Sequence, residues 1–431
     1  MESRKDIENR QIRKLNYLLQ VITPGNQFYQ KKLIDQGFHS VGSLSDFKSF
    51  PFTLKRELTQ DQLDYPPYGT VLTYPLDTYV RIHQTSGTTG NPMYWLDTEP
   101  SWHWFAGCWK TVFEAAGATA QDRIYFPFSF GPFVGFWSGW EGARLLGALA
   151  IPGGGQSTQQ RLKNILNSEA TVIVCTPTYA LHMAAEAEAA DVDIRSSKVR
   201  LTIHAGEPGA SIPSTKKKIE EAWGAKCFDH AGATEAGAYG FECLLRPCGI
   251  HLNEEEFIAE IIDPETGRDA DEGERGELVV TNLGRLGSPI IRYRTGDLVQ
   301  PNYGPCPCGR PFVLLEGGIL GRVDDMVVVR GVNVYPGAVE GILREFPDIE
   351  EFRIDVFETE GLSELKITVE PKAGVRQDGG LEGKVQERIR ERLNLRARVE
   401  VAVQGSLPRF ELKARRFFRH RSGNEAANRS S

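Results

Sequence analysis

Thr171-Val172-Ile173-Val174-Cys175 and Leu201-Thr202-Ile203-His204-Ala205-Gly206-Glu207-Pro208, with the alanine-rich run 179–190 between them, decide the fold. The first stretch is apolar and β-branched without polar alternation, which suits a strand buried on both faces of a parallel sheet. Residues 201–203 repeat that character and run into a loop of small residues. The intervening run reads as a helix, and 216–222 reads as the next one. Strand, helix, strand is the pattern of an α/β layer.

Working outward, Ile7, Ile12, Leu15, Leu19 and Ile22 fall on one face of an amphipathic opening helix. Residues up to about 68 mix short helices and turns, with a helix start at Thr53 and 55–57. Beyond 257 the chain becomes β-rich, with strands at 257–262 and 277–281 joined by the turn residues Asp263-Pro264-Glu265-Thr266-Gly267. From about Gly321 a small α+β unit begins. It comprises a hairpin around Arg330-Gly331, a helix at 338–345, strands at 352–357 and 364–370, a helix carrying Leu381, Val385, Ile389 and Leu393, and a last strand at 398–403. The expected architecture is α/β: a large N-terminal domain over 1–320 with a β-rich end, and a small C-terminal lid over 321–431. The tail from 421 is polar and reads as disordered.

Bulk properties narrow the function. The chain has 431 residues, a formal charge of −7, 40% hydrophobic and 25% charged residues, within the range of soluble globular proteins. The acidic balance argues against nucleic acid as a partner. The first ten residues are mostly charged and lack the apolar core of a secretory leader. The longest apolar region, 124–152, is interrupted by glycines, Glu141 and Arg144, so no membrane span is expected. Seven cysteines, an odd number in a long chain, do not form a disulfide framework and point to a reducing cytoplasm, with some of them free and some on metal.

Gln84-Thr85-Ser86-Gly87-Thr88-Thr89-Gly90-Asn91-Pro92 concentrates hydroxyls and glycines. Glycine lets backbone N–H groups approach an anion, and hydroxyls add donors, which suits a triphosphate. A polar turn between strands would look the same in isolation, and the loop lacks the lysine of a Walker A motif. Downstream stand Asp229-His230-Ala231-Gly232-Ala233-Thr234-Glu235, Tyr293-Arg294-Thr295-Gly296-Asp297, Gly321-Arg322-Val323-Asp324-Asp325, and Leu407-Pro408-Arg409 followed by Lys413. Five motifs in this order resemble the adenylate-forming superfamily. Asn26-Gln27-Phe28-Tyr29, Phe50-Pro51-Phe52-Thr53, His204-Ala205-Gly206-Glu207-Pro208 and Arg330-Gly331-Val332-Asn333-Val334-Tyr335-Pro336 narrow the resemblance to the phenylacetate–CoA ligase family over almost the whole chain.

The resemblance implies an ATP-dependent acid–CoA ligase that forms an acyl-adenylate and then a thioester. In that scheme Ser86, Gly87, Thr88, Thr89 and Gly90 hold the β- and γ-phosphates, although Asn91 stands where the family often has lysine. Thr234 contacts the α-phosphate and Glu235 holds Mg²⁺, for which a carboxylate is the right hard ligand. Ala205, Gly206, Glu207 and Pro208 line the adenine face, together with the Asp229, His230, Ala231, Gly232 segment. Asp297 accepts from both ribose hydroxyls. Arg322 contacts ribose or phosphate, and Asp324 is the hinge of the lid. Lys413 bridges carboxylate, phosphate and ribose oxygens during adenylation, with Leu412 in place of the family's usual glycine and with Arg415 and Arg416 as nearby substitutes. Phe130, Phe133, Phe136 and Trp137 lie where the family binds its acid, and an aromatic slot suits an aryl or arylacetic acid; core packing is the alternative for these rings. His230 occupies a position where an aromatic is usual, free to stack, hydrogen-bond or pack. By analogy the enzyme is a homodimer.

Cys306-Pro307-Cys308-Gly309 puts two thiolates on one turn. With Cys243 and His251 it makes a Cys₃His set, a common closed shell for structural Zn²⁺, and Cys248 is an alternative to Cys243. Two further functional readings remain at this stage: an adenylating enzyme that passes the acyl group to a carrier-protein thiol or an amine, and a nucleotide-binding regulator. Retention of Thr234, Glu235, Asp297 and Arg322 disfavours the regulator.

Overall fold

The computed structural model describes residues 3–85, 92–329, 332–359, 362–375, 380–410 and 414–421. Its centre is a nine-stranded sheet. From one edge the order is Pro301–Asn302, Leu314–Glu316, Arg246–Leu252, Gly237–Cys243, Lys226–Ala233, Leu201–His204, Val172–Cys175, Arg123–Phe126 and Leu149–Pro152. The last five are parallel to one another, and the others join antiparallel. Lys226–Ala233 is therefore the seam: parallel to Leu201–His204 on one side, antiparallel to Gly237–Cys243 on the other.

The expected strands at 171–175 and 201–203 are present, and every residue of Val172–Cys175 and Leu201–His204 is buried. The helices between and after them are Pro177–Ala189 and Pro213–Trp223, each with proline in its first turn, where a missing N–H costs nothing. The opening helix, Arg4–Ile22, starts on a Ser3–Asp6 capping box and buries Ile7, Leu15, Leu18, Leu19 and Ile22. Each such side chain is worth roughly 1.5–3 kcal/mol. Gln11, buried on the same helix, donates from Nε2 to the carbonyls of Glu254 (3.0 Å) and Phe257 (2.8 Å).

A second, antiparallel sheet runs Phe257–Ile262, Gly276–Asn282, Tyr293–Val299 and Gly321–Arg322. A hairpin, Tyr79–Gln84 with Tyr94–Thr98, stands beside it; Gln84 faces Tyr94, and Thr85 N–H donates to the Met93 carbonyl at 2.9 Å. The smaller C-terminal domain has its own apolar core, from Val327 to Val399. Its sheet runs Arg398–Val401, Leu362–Pro371, Ile349–Thr359 and Phe417–Arg421, with helices Pro336–Leu343 and Gly380–Leu393 alongside. Among the described residues no helix is long and apolar enough to cross a membrane.

Candidate active site

The seam strand ends in a tight turn that carries Thr234 and Glu235, after which the chain reverses into Gly237–Cys243. The turn is braced from below. The Arg285 guanidinium donates to the carbonyls of Thr234 (2.6 Å) and Glu235 (3.2 Å) and makes a two-point ion pair with Asp97 (2.7 and 2.6 Å); both side chains are fully buried. Asp97 lies on Tyr94–Thr98, the strand that leaves the hydroxyl- and glycine-rich loop. One buried ion pair thus fixes the turn relative to the root of that loop. The loop residues Ser86, Gly87, Thr88, Thr89, Gly90 and Asn91 lie outside the described residues, as does Lys413.

The Glu235 carboxylate is buried and accepts from the Tyr293 hydroxyl at 2.7 Å, and the Lys55 ammonium stands 3.6 Å away. Lys55 opens the helix Lys55–Asp64, whose entry is tethered beside Tyr293 because Thr53 N–H donates to the Arg292 carbonyl and Arg294 N–H to that of Thr53. Two residues of the 293–297 motif flank the site from one strand. Tyr293 and Asp297 both lie on Tyr293–Val299, whose pairing shifts register between them around left-handed Gly296. Asp297 accepts from the Tyr239 hydroxyl (2.9 Å) and from Arg322 (3.1 Å), whose guanidinium also reaches the Thr295 carbonyl (2.8 Å) and exposed Asp324 (3.2 Å). Burial raises the Asp297 carboxyl pKa, against the pull of Arg322. Gly296, at φ +74°, leaves room for that guanidinium: a Cβ there would lie 2.6 Å from it.

Across the parallel half, Ala205, Gly206, Glu207 and Pro208 follow Leu201–His204, and Gly206 takes φ +96°, a left-handed conformation that favours glycine. The Glu207 carboxylate accepts the N–H of Thr178 (2.9 Å) and that of Ala414 (2.8 Å), the residue following Lys413. Arg416 pairs with Glu351 of the small domain (2.6 and 2.9 Å) and reaches Thr178 of the large one (3.3 Å). The small domain is therefore docked on the loop after Leu201–His204.

On the seam strand, Asp229 is buried, and burial pushes its carboxyl up to about 6. His230 is buried against Trp109, ring centroids 4.3 Å apart, with Nδ1 2.7 Å from the Gly240 carbonyl. Burial lowers its pKa to about 4, so the ring is neutral at pH 7. Ala231 is buried beside it, and Gly232 is exposed. The aromatic group gathers on and before the helix Val134–Leu146: Phe130 lies 4.5 Å from Trp137, and Phe136 3.7 Å from Phe128, while Phe133 and Trp137 reach the surface. Gln84 N–H donates to the Pro132 carbonyl at 2.9 Å, so this segment abuts the root of the glycine-rich loop.

Away from this cleft, Cys243, His251, Cys306 and Cys308 bring their ligand atoms within 4.8 Å of one another. Cys243 Sγ to Cys306 Sγ is 3.8 Å, and Cys308 Sγ to His251 Nε2 is 3.5 Å. A tetrahedron with metal–sulfur bonds of ~2.3 Å and metal–nitrogen bonds of ~2.0 Å has edges of roughly 3.8 and 3.5 Å. The donor set thus fits a tetrahedral thiophilic ion. Cys248 stands apart at φ +62°, its N–H donated to Glu242 at 2.8 Å.

Lys55, Arg285, Asp97, Tyr239 and Trp109 carry no motif in the sequence. Only Lys55 had a signal, as the start of a helix.

A parallel sheet that opens at its seam onto a braced carboxylate turn, under a small docked domain, is the layout of an adenylate-forming enzyme, and the chain belongs to the AMP-binding enzyme family. The family model matches residues 35–284, and the AMP-binding enzyme C-terminal domain matches 331–421. More particularly, it groups with the phenylacetate–coenzyme A ligases. It is 34% identical to that of Thermus thermophilus over 80% of this chain and 76% of the relative, and 31% identical to that of Pseudomonas putida over 95% and 93%. Among solved structures, 2-hydroxyisobutyryl-CoA ligase in the postadenylation state with 2-HIB-AMP superposes with a TM-score of 0.91 at 28% identity, covering 97% of this chain and 90% of that one. The same enzyme with CoA in the thioesterification state gives 0.73.

Proposed function

We propose that the chain is an ATP-dependent acid–coenzyme A ligase that activates a small carboxylic acid, aromatic or arylacetic in class, as its acyl-adenylate. The observation that carries this reading is the braced Thr234–Glu235 turn, bonded to Tyr293 on the strand that also carries Asp297, with Arg322 paired to Asp297. In the first half-reaction the substrate carboxylate oxygen attacks the α-phosphorus, a C–O–P linkage forms, the α–β P–O bond breaks and pyrophosphate leaves. Thr234 donates to the α-phosphate. Asp297 holds the ribose hydroxyls, with Tyr239 and Arg322 fixing its two oxygens. Glu235 would hold Mg²⁺, which when bound neutralises triphosphate charge. Lys55, beside Glu235, supplies a cation toward the β- and γ-phosphates held by Ser86, Gly87, Thr88, Thr89 and Gly90; it offsets the absence of lysine at Asn91. Lys413 draws the nucleophile and phosphate together, delivered by the docked segment at Ala414. In the second half-reaction the CoA thiolate attacks the acyl carbon, a C–S bond forms and AMP leaves. The lid is taken to begin at Gly321 and to turn at Asp324, an exposed residue just before the separate core that starts at Val327. Phe130, Phe136 and Trp137 form one wall of the acid slot. The Cys₃His cluster holds structural Zn²⁺, its donor spacing being the support.

The test is pyrophosphate release with Mg-ATP across aryl, arylacetic and aliphatic acids, with and without CoA. Sustained release that needs both an acid and CoA, with thioester as product, is expected. Release that ends after one turnover even with CoA assigns the acceptor to a carrier-protein thiol or an amine. No release with any acid overturns the ligase reading.

A further inference from the structure

His230 is more than nine-tenths buried, yet only one of its ring nitrogens is engaged. Nδ1 lies 2.7 Å from the Gly240 carbonyl, which can only accept, so Nδ1 carries the proton and Nε2 is left as a bare acceptor. Among the described residues Nε2 has no partner, and it is not among the unpartnered polar atoms sealed from solvent; His83 Nδ1 and His251 Nδ1 are. It therefore keeps some exposure to solvent, and Gly232, itself exposed, lies beside it. His230 and Gly232 stand two apart on the seam strand and share a face, and a Cβ at Gly232 would lie 3.0 Å from Nε2. Two residues further on is Thr234. Exposed Gly232 thus stands between the threonine assigned to the α-phosphate and the imidazole acceptor, with Trp109 packed against the imidazole.

We infer that His230 is a specificity-determining residue that accepts a hydrogen bond from a hydroxyl on the carbon skeleton of the acid, and that the substrate is a hydroxylated acid rather than its deoxy counterpart. The inference rests on the ligase reading and names its substrate class. An acid placed over Gly232 with its carboxylate toward Thr234 turns its skeleton toward Nε2. A skeleton without a donor leaves that acceptor desolvated and unpaired, the circumstance in which a binding site discriminates strongly. A hydroxyl fits better than an ammonium, because a charge beside Trp109 and a neutral imidazole would be buried without a counter-ion.

The experiment compares kcat/KM for matched acids, mandelate against phenylacetate, 4-hydroxyphenylacetate against phenylacetate, and 2-hydroxyisobutyrate against isobutyrate, in the parent, His230→Gln and His230→Phe. The parent is expected to favour one hydroxylated member by about tenfold or more. Glutamine, which keeps an acceptor, retains part of that ratio, and phenylalanine removes it. A parent that favours every deoxy acid, or a ratio that phenylalanine leaves unchanged, overturns the inference while leaving a working ligase. If His230→Phe does not fold, the His230→Gln ratio and the parent's own preference decide. Absence of turnover with all acids sinks the ligase reading and this inference with it.

Discussion

Arg285 and Asp97 are oppositely charged, wholly out of contact with water, and 188 residues apart in sequence. Removing one partner strands the other charge. Arg285→Ala or Asp97→Asn is expected to cost about 3–5 kcal/mol in urea unfolding, and pyrophosphate release should fall further than the loss of folded protein explains, because the turn bearing Thr234 and Glu235 loses its brace. A variant that is destabilised but adenylates normally per folded molecule would remove the bracing role. Asp229 makes a different case. Burial pushes its folded-state carboxyl up to about 6, against roughly 3.9 in an unfolded chain. The folded state therefore keeps the proton over that window. The site's contribution to stability is complete below about pH 4 and is lost as the pH rises to about 6. Asp229→Asn should be more stable than the parent by about 2–3 kcal/mol at pH 7–8, with no difference below pH 4; a gain that does not vary with pH would contradict this origin. These residues also mark how far the sequence can be read. Thr234, Glu235, Asp297 and Arg322 sit in short contiguous motifs and were visible. Arg285 and Asp97 act through contacts between distant segments, and no local pattern announces them; Lys55 is marked only as a helix start.

The elements repeat that division. Val172–Cys175, Leu201–His204 and the helices between and after them were legible because a buried parallel strand and an amphipathic helix each have a distinctive period. The antiparallel half of the large sheet was not. Lys226–Ala233 buries Asp229 and His230 and exposes Gly232 near its end, and Gly237–Cys243 is buried at every position while containing two glycines and a glutamate. Their polar groups are matched by partners from elsewhere, such as Glu242 accepting the N–H groups of Asp229 and Cys248. Gly237–Cys243 and the next strand, Arg246–Leu252, place Cys243 and His251 beside the short turn with Cys306 and Cys308. That turn has few other anchors: its flanking strands are two and three residues long. Zn²⁺ removal by a strong chelator under reducing conditions is expected to lower Tm by about 5 °C or more, and Cys306→Ser should reproduce the loss and make the protein insensitive to chelator. Metal analysis that finds no zinc in native protein would dismiss the site.

At the scale of the whole molecule, the two domains meet in one arrangement. The superposition is 0.91 on a postadenylation structure and 0.73 on a thioesterification structure of the same enzyme, so the domain arrangement here is more similar to the first. Glu207 makes one contact between the domains: its two carboxylate oxygens tie Thr178 of the large domain and Ala414 of the small one. Glu207→Gln sets an amide NH₂ against one of those N–H donors. It is expected to slow pyrophosphate release about tenfold and to raise hydrogen exchange at the Ala414 amide, while thioester formation from supplied acyl-adenylate and CoA falls less. Equal loss in both half-reactions would show Glu207 to be a structural residue only. The opening helix carries a consequence of its own. Gln11 is bonded to carbonyls 243 and 246 residues downstream, whereas Asn16 on the same helix is bonded to Val41, only 25 residues on. At a synthesis rate of ~5–20 residues per second the ribosome needs roughly 10–50 s to deliver those partners. For that interval the nascent chain displays a capped amphipathic helix anchored only to its nearest neighbours, with buried Gln11 still unpaired, an invitation to chaperones and to neighbouring polysomes alike.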